Sequence, residues 1–280
     1  MKSTSTSPIP RLAKGLSGAV VLVLMLALLL PGWPFQTQLI VAASVLMFAA
    51  CFASASSLLG RRAAVVLAVL APALGWFAEQ MGSTYGWFFG SYTYTEVLGP
   101  RLGEVPVVIP LMWFALAYTG YVFANLIVWQ TPGDGATSVR RSVVMASLSA
   151  LVVTAFDLGA DPYMVYGLKA WIMEKTDGWW FGETLQGFVG WMLVAFSIVF
   201  SFRLLLRRLP AGAKAGPQLR WLLVPFVLYG GLMLFQATQG VPVETRTIAL
   251  FAMGIPLFCA ACGLYRWHVE PRAVAAQVAR

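Results

Sequence analysis

The chain has 280 residues, of which 59% are hydrophobic and 11% charged, and its formal net charge is +8. An ordinary soluble domain carries about 25% charged residues, so this composition excludes one and marks an integral membrane protein. Apolar stretches long enough to cross a hydrocarbon layer of about 30 Å, roughly 20 residues each, run over 15–33, 38–59, 63–80, 105–130, 142–160, 186–206, 221–238 and 247–267. The expected fold is all-α, a polytopic bundle of about eight transmembrane helices with two long aromatic-rich outer loops. The first stretch follows Lys2, Arg11 and Lys14 as a signal peptide would. Gly32-Trp33-Pro34-Phe35 is a poor cleavage site, however, and another span follows at once, so it reads as a retained anchor. Even spacing of the stretches, with no polar block of domain size, predicts a single transmembrane domain over 1–280.

Basic residues gather on the cytoplasmic side of membrane proteins. With the N-terminus inside, all but four of the 19 basic residues fall on that side, the exceptions being Arg101, Lys169, Lys175 and Arg246. Both termini are therefore expected in the cytoplasm. The positive charge is explained by membrane orientation and attraction to anionic lipid headgroups, and no nucleic-acid partner is needed. The acids distribute the opposite way: only Asp134 and Glu270 lie inside, while Glu79, Glu96, Glu104, Asp157, Asp161, Glu174, Asp177, Glu183 and Glu244 lie at outer span ends or in outer loops. Glu96, Asp177 and Glu244 are readily explained as solvated acids. Asp157 lies some 15 residues up a helix from Ser142, about 22 Å by rise, which places a carboxyl within hydrocarbon depth. Such a group is costly unless paired, protonated or facing a wet cavity, so function is its default explanation.

The two outer loops run from Met81 to Glu104 and from Asp161 to Leu185. Interfacial belts account for isolated Trp and Tyr residues, but these loops are denser than a belt requires. Trp76-Phe77-Ala78-Glu79 precedes Gly86-Trp87-Phe88-Phe89-Gly90, and Trp171-Ile172-Met173-Glu174 precedes Gly178-Trp179-Trp180-Phe181-Gly182. If this echo is a repeat, two similar loops close over one site as a partly re-entrant lid, since non-helical backbone at membrane depth needs cover from protein or water.

Several chemistries lack their residues. His268 is the single histidine and follows the last span, so no histidine box or haem ligand pair can form. Cys259 and Cys262 sit inside an apolar stretch with Ala260, Ala261 and Gly263, where small residues favour helix packing, and with Cys51 they make no disulfide framework. No phosphate-binding glycine loop or dinucleotide fingerprint is present. No cofactor and no metal are expected. The strongest constellation is Phe156-Asp157-Leu158-Gly159-Ala160-Asp161-Pro162. Spacing of four puts both carboxyls on one helix face, although Gly159 and Pro162 predict that the helix ends near Asp161. Two close carboxyls in an apolar setting do not both ionise cheaply, so one is expected to keep its proton and to be available as a general acid. An interfacial helix cap with two solvated acids is the alternative.

Further blocks surround these acids: Glu79 with the Gly86 to Tyr94 loop, Leu98-Gly99-Pro100, Gly103-Glu104-Val105-Pro106, and Ile109-Pro110-Leu111-Met112-Trp113. Then come Asp157-Leu158, Asp161-Pro162-Tyr163-Met164-Val165, Phe181-Gly182 and Phe188-Val189-Gly190-Trp191. In content and order they resemble the cofactor-independent carotenoid hydratases of the γ-carotene and bisanhydrobacterioruberin type, over a core of approximately 75–192. The family's last block usually reads Phe-Gly-Ile-Pro with a later Asn-Phe, whereas Glu183-Thr184 and Gly187 stand here.

The resemblance implies addition of water to the terminal double bond of an acyclic carotenoid end group, giving a tertiary alcohol. An acid protonates the less substituted alkene carbon and water captures the tertiary cation, which needs a dry pocket and electron-rich neighbours. The expected catalytic residues are Asp157 as proton donor, with Asp161 or Glu79 positioning water. Trp87, Tyr92, Tyr94, Trp113, Trp179, Trp180, Phe181 and Trp191 are expected to grip the polyene or stabilise positive charge. The expected partners are a carotenoid polyene, water and membrane lipid; oligomeric state is not legible. Two alternatives stand beside this reading. One is an intramembrane prenyltransferase using Asp-x-x-x-Asp to recruit magnesium and diphosphate, and the other is a non-enzymatic carotenoid or lipid binder or transporter.

Overall fold

The computed structural model describes residues 35–133, 138–209 and 219–278. Among them seven segments are long and apolar enough to cross a membrane, matching the second to eighth predicted stretches; the first, 15–33, lies outside the described residues. The helices are α1 (Gln36–Leu58), α2 (Arg61–Tyr85), α3 (Val108–Trp129), α4 (Val139–Pro162), α5 (Leu185–Leu206), α6 (Leu219–Gln239), α7 (Glu244–Ala252) and α8 (Gly254–Val278). α7 and α8 together supply the last span, Glu244–Val269.

α3 is the axis of the bundle. Every residue from Trp113 to Leu126 is buried, and the helix touches α1, α2, α4, α5, α6 and α8. A helix apolar on all sides needs neighbours on all sides. Outward side chains such as Val69, Leu151, Leu193, Phe251 and Phe258 are exposed, the surface that acyl chains cover in a bilayer. On α8 the packing expected around the cysteines falls to buried Ala260 and to Gly263, which lies against the Leu126 backbone, while Cys259 and Cys262 are exposed.

Two helices overrun their predicted ends, and both corrections shorten the loops. α2 runs on to Tyr85, where Gly86 enters the left-handed region (φ 70°) and its N–H caps the Gly82 and Met81 carbonyls. α4 passes through Asp161 and Pro162, and a π-helical turn over Tyr163–Leu168 prolongs it. The backbone absorbs the donor that Pro162 lacks by re-spacing its bonds. The Tyr163 N–H reaches the Ala160 and Gly159 carbonyls, and the wider π turn follows.

The loop after α2 holds β1 (Tyr92–Tyr94), a 3-10 turn (Glu96–Leu98) and the hairpin of β2 (Arg101–Leu102) with β3 (Val105–Pro106); the loop before α5 holds β4 (Trp171–Met173). β1 pairs antiparallel with β4, setting Tyr92 opposite Met173, Thr93 opposite Ile172 and Tyr94 opposite Trp171. α2 holds the hairpin down: Trp76 Nε1 donates to the Leu102 carbonyl at 2.9 Å, and the Glu104 N–H donates to Gln80 Oε1 at 2.9 Å. The two loops are thus zipped together over one end of the bundle. The echo between them is not a structural repeat, because Glu79 lies buried in α2 whereas Glu174 follows β4 and is exposed.

Candidate active site

Beneath the zipped loops lies a cavity of about 370 Å³. The alternating helix directions bring to it the first halves of α1 and α3, the start of α5, and the final turns of α2, α4 and α6. Most of its wall is apolar and aromatic. Exposed Tyr85, Lys175 and Gln186 line it on the loop side. Four carboxyl side chains also line it, those of Glu79, Asp157, Asp161 and Glu183, each no more than 6% exposed.

Glu79 is fully engaged. Its Oε2 accepts from the Tyr92 hydroxyl at 2.5 Å and the Tyr94 hydroxyl at 2.8 Å, and its Oε1 accepts from Trp113 Nε1 at 2.9 Å. Alternate residues of a strand share a face, so β1 turns Tyr92 and Tyr94 inward together and Thr93 outward. Burial first, and then the negative charge of Glu79, holds both phenols well above their ordinary range, which keeps them donors. Trp113 reaches Glu79 over Gly75, one turn earlier on α2, where a Cβ would approach the indole to 2.5 Å.

Asp157 and Asp161 stand one turn apart on α4 and face the same cavity. Trp171 of β4 donates from Nε1 to Asp161 Oδ1 at 2.9 Å. Asp157 and Glu183 act on each other as neighbouring buried carboxyls. Two such groups do not both ionise cheaply, so the pair is a ready source of a proton. Among the described residues, Asp157 Oδ2, Asp161 Oδ2 and Glu183 Oε2 have no hydrogen-bond partner. Burial, reinforced by the charge of Asp161 and opposed by the neighbouring Asp157, pushes the Glu183 carboxyl up to about 9. On the same wall Trp113 and Trp191 stack with centroids 4.5 Å apart, and Phe89 lies 6.3 Å and 6.2 Å from them.

Of the residues marked from sequence, Glu79, Asp157, Asp161, Tyr92, Tyr94, Trp113 and Trp191 line this cavity. Trp87, Trp179, Trp180 and Phe181 do not. Trp179 is 97% exposed, at the tip of a turn closed by the Gly178–Gly182 bridge, and Trp87 is 54% exposed. Trp180 donates from Nε1 to the Leu158 carbonyl at 2.8 Å, and the Phe181 carbonyl accepts from the Tyr166 hydroxyl at 2.7 Å. These two residues brace the loop against α4. Sequence reasoning missed Glu183, Phe89, Trp171 and Gln236. Along the chain Glu183 reads as one more outer acid, although its place beside Phe181-Gly182 is a usable signal. Gln236 is an amide within an apolar stretch and is buried, its Nε2 donating to the Phe156 carbonyl at 2.9 Å. Among the described residues no three His, Cys, Asp or Glu side chains are grouped to hold a metal ion.

The fold and site define a polytopic helical membrane protein with a buried, aromatic-walled carboxyl cluster. The chain belongs to the carotenoid biosynthesis protein family, whose sequence profile matches residues 35–259. It is 30% identical over 236 residues to the bisanhydrobacterioruberin hydratase of Haloarcula japonica, an alignment covering 81% of this chain and 75% of that relative. No solved structure matches the chain.

Proposed function

We propose that this chain is a carotenoid hydratase that adds water to the terminal carbon–carbon double bond of an acyclic end group, giving a tertiary alcohol. The observation that carries the reading is the set of buried carboxyl oxygens, without hydrogen-bond partners among the described residues, that face an aromatic-walled cavity inside a membrane bundle. Asp157 is the proton donor. Transfer of its proton to the less substituted alkene carbon leaves a tertiary cation, which the Trp113, Trp191 and Phe89 rings stabilise through their π faces. Water then attacks the cation. Asp161, with Oδ1 pinned by Trp171 and Oδ2 unengaged among the described residues, holds that water. Glu79 has donors on both oxygens and therefore serves as a fixed negative centre opposite the cation, anchoring the aromatic wall. This chemistry uses a proton and water and calls on no cofactor.

The polyene enters from the bilayer with only its tip in the cavity. The basic-residue bias supports a loop end outside and termini in the cytoplasm. Labelling of cysteines placed at exposed Glu104 and Asp177 checks that orientation: reaction from outside supports it, and reaction from the cytoplasm alone overturns it. The activity itself is tested by expression in a bacterial host making lycopene or γ-carotene, with mass analysis of the pigments. A gain of one water that vanishes with Asp157→Asn is the expected result; unchanged pigment from well-expressed protein, supplied with either substrate, sinks the assignment.

A further inference from the structure

We propose that Glu183 is the catalytic base of the site: it re-protonates Asp157 and takes the proton of the attacking water, closing the cycle. This rests on the hydratase reading. The argument starts from which carboxyl is able to do both jobs. Glu79 has donors on both oxygens. Asp161 has one oxygen tied to Trp171. Glu183 is a neighbour of the donor Asp157 on the cavity wall and keeps Oε2 without a partner among the described residues. It lines the same cavity and is 5% exposed.

The backbone is built around this placement. Trp180 ties the loop to the Leu158 carbonyl, next to Asp157 on α4. Gly182 then turns the chain with φ 89°, a conformation natural to glycine, and the Glu183 N–H donates to the Trp180 carbonyl at 2.9 Å. Four residues on, Gly187 leaves the space that the Glu183 carboxyl occupies, since a Cβ there would lie 2.6 Å from Glu183 Oε1.

The steps balance. The Asp157 O–H bond breaks and the alkene π pair forms a C–H bond, leaving Asp157 ionised and the adjacent carbon cationic. Glu183, protonated at rest, hands its own proton to the ionised Asp157 and is itself left ionised. A water lone pair forms the C–O bond, and the water O–H breaks with its proton passing to Glu183, which restores both acids. The sum is alkene plus water giving alcohol, and neither acid is consumed.

Removing the base while keeping the donor leaves a cation whose productive capture by water is slow and which instead gives a proton back to Asp157. The test is incubation of membranes bearing the full chain with an acyclic carotenoid in D2O, measuring hydrated product and deuterium in the recovered alkene. Wild type is measured first; if it neither hydrates nor exchanges, the hydratase reading itself fails and the proposal falls with it. Where wild type hydrates, Glu183→Gln is expected to lower hydration by about 100-fold or more while the recovered alkene gains deuterium. Gly187→Ala, which pushes the Glu183 carboxyl aside without removing an acid, is expected to give the same split more weakly. Hydration at the wild-type rate in Glu183→Gln overturns the proposal. So does a parallel loss of hydration and exchange in both variants, which would place Glu183 in the protonation step or in the fold alone.

Discussion

Two buried polar clusters in this bundle behave in opposite ways. Deep between α1, α3 and α6, Ser54 Oγ donates to the Trp221 carbonyl at 2.7 Å and meets the Tyr118 hydroxyl at 2.6 Å. Each hydroxyl there has a partner, with apolar packing around it. At the loop end, four carboxyls border open space, and three of their oxygens find no partner among the described residues. Burying a polar atom without a hydrogen bond costs on the order of 1–3 kcal/mol, so a cluster meant only to tie helices together is saturated, as the serine–tyrosine pair is. A cluster that leaves such oxygens facing a cavity is built to bond something that comes and goes.

The comparison is most sharply tested at Asp157. Asp157→Asn keeps the shape and removes the acid, and hydration is expected to fall by about 10²- to 10⁴-fold, read as hydrated pigment per unit of protein. Trp191→Leu removes one π face and is expected to cost about 2- to 30-fold in rate, measured the same way; a larger loss of polyene binding than of rate would assign Trp191 to grip instead. Tyr118→Phe acts on the saturated cluster, so it is expected to lower unfolding stability by about 1 kcal/mol and leave hydration unchanged, by thermal unfolding and pigment analysis together.

The pH dependence of stability separates the clusters too. The folded-state value for Glu183, about 9, lies above its ordinary 4.5. Below 4.5 the carboxyl is protonated folded or unfolded and its contribution is fully present. Between 4.5 and about 9 only the unfolded chain ionises readily, so stability is lost as pH rises through that window. Asp157, Asp161, Glu79 and Lys175 border the same cavity, so the measurement is the difference in melting temperature between wild type and Glu183→Gln, which is expected to be flatter across the window. The smallest effect is expected at Trp179. Its ring is almost wholly exposed, and Trp179→Ala should leave hydration near wild type; a loss comparable to that of Trp191→Leu would return Trp179 to the site.

Spans of about 20 apolar residues, the placement of the acids and the Asp157/Asp161 spacing were all legible along the chain, because each is a local or periodic property. So was the density of aromatics in the loops. Which aromatics face inward was not legible. Trp179 and Trp191 are equally attractive as residue types, yet one sits at a bridged turn tip and the other stacks on Trp113. The helical character of Asp161 and Pro162 also escaped local rules, since it depends on a π turn that re-spaces the backbone bonds.

By itself, the sequence determined the membrane class, the positions of the spans and the presence of acids at one end of the bundle, since composition and periodicity act through short-range physics. Tertiary structure alone decided that Glu79 is held by Tyr92, Tyr94 and Trp113, that Asp161 is held by Trp171, and that Glu183 joins Asp157. Those partners come from different helices and strands, and helix packing together with the pairing of β1 with β4 over the helix ends brings them to one cavity.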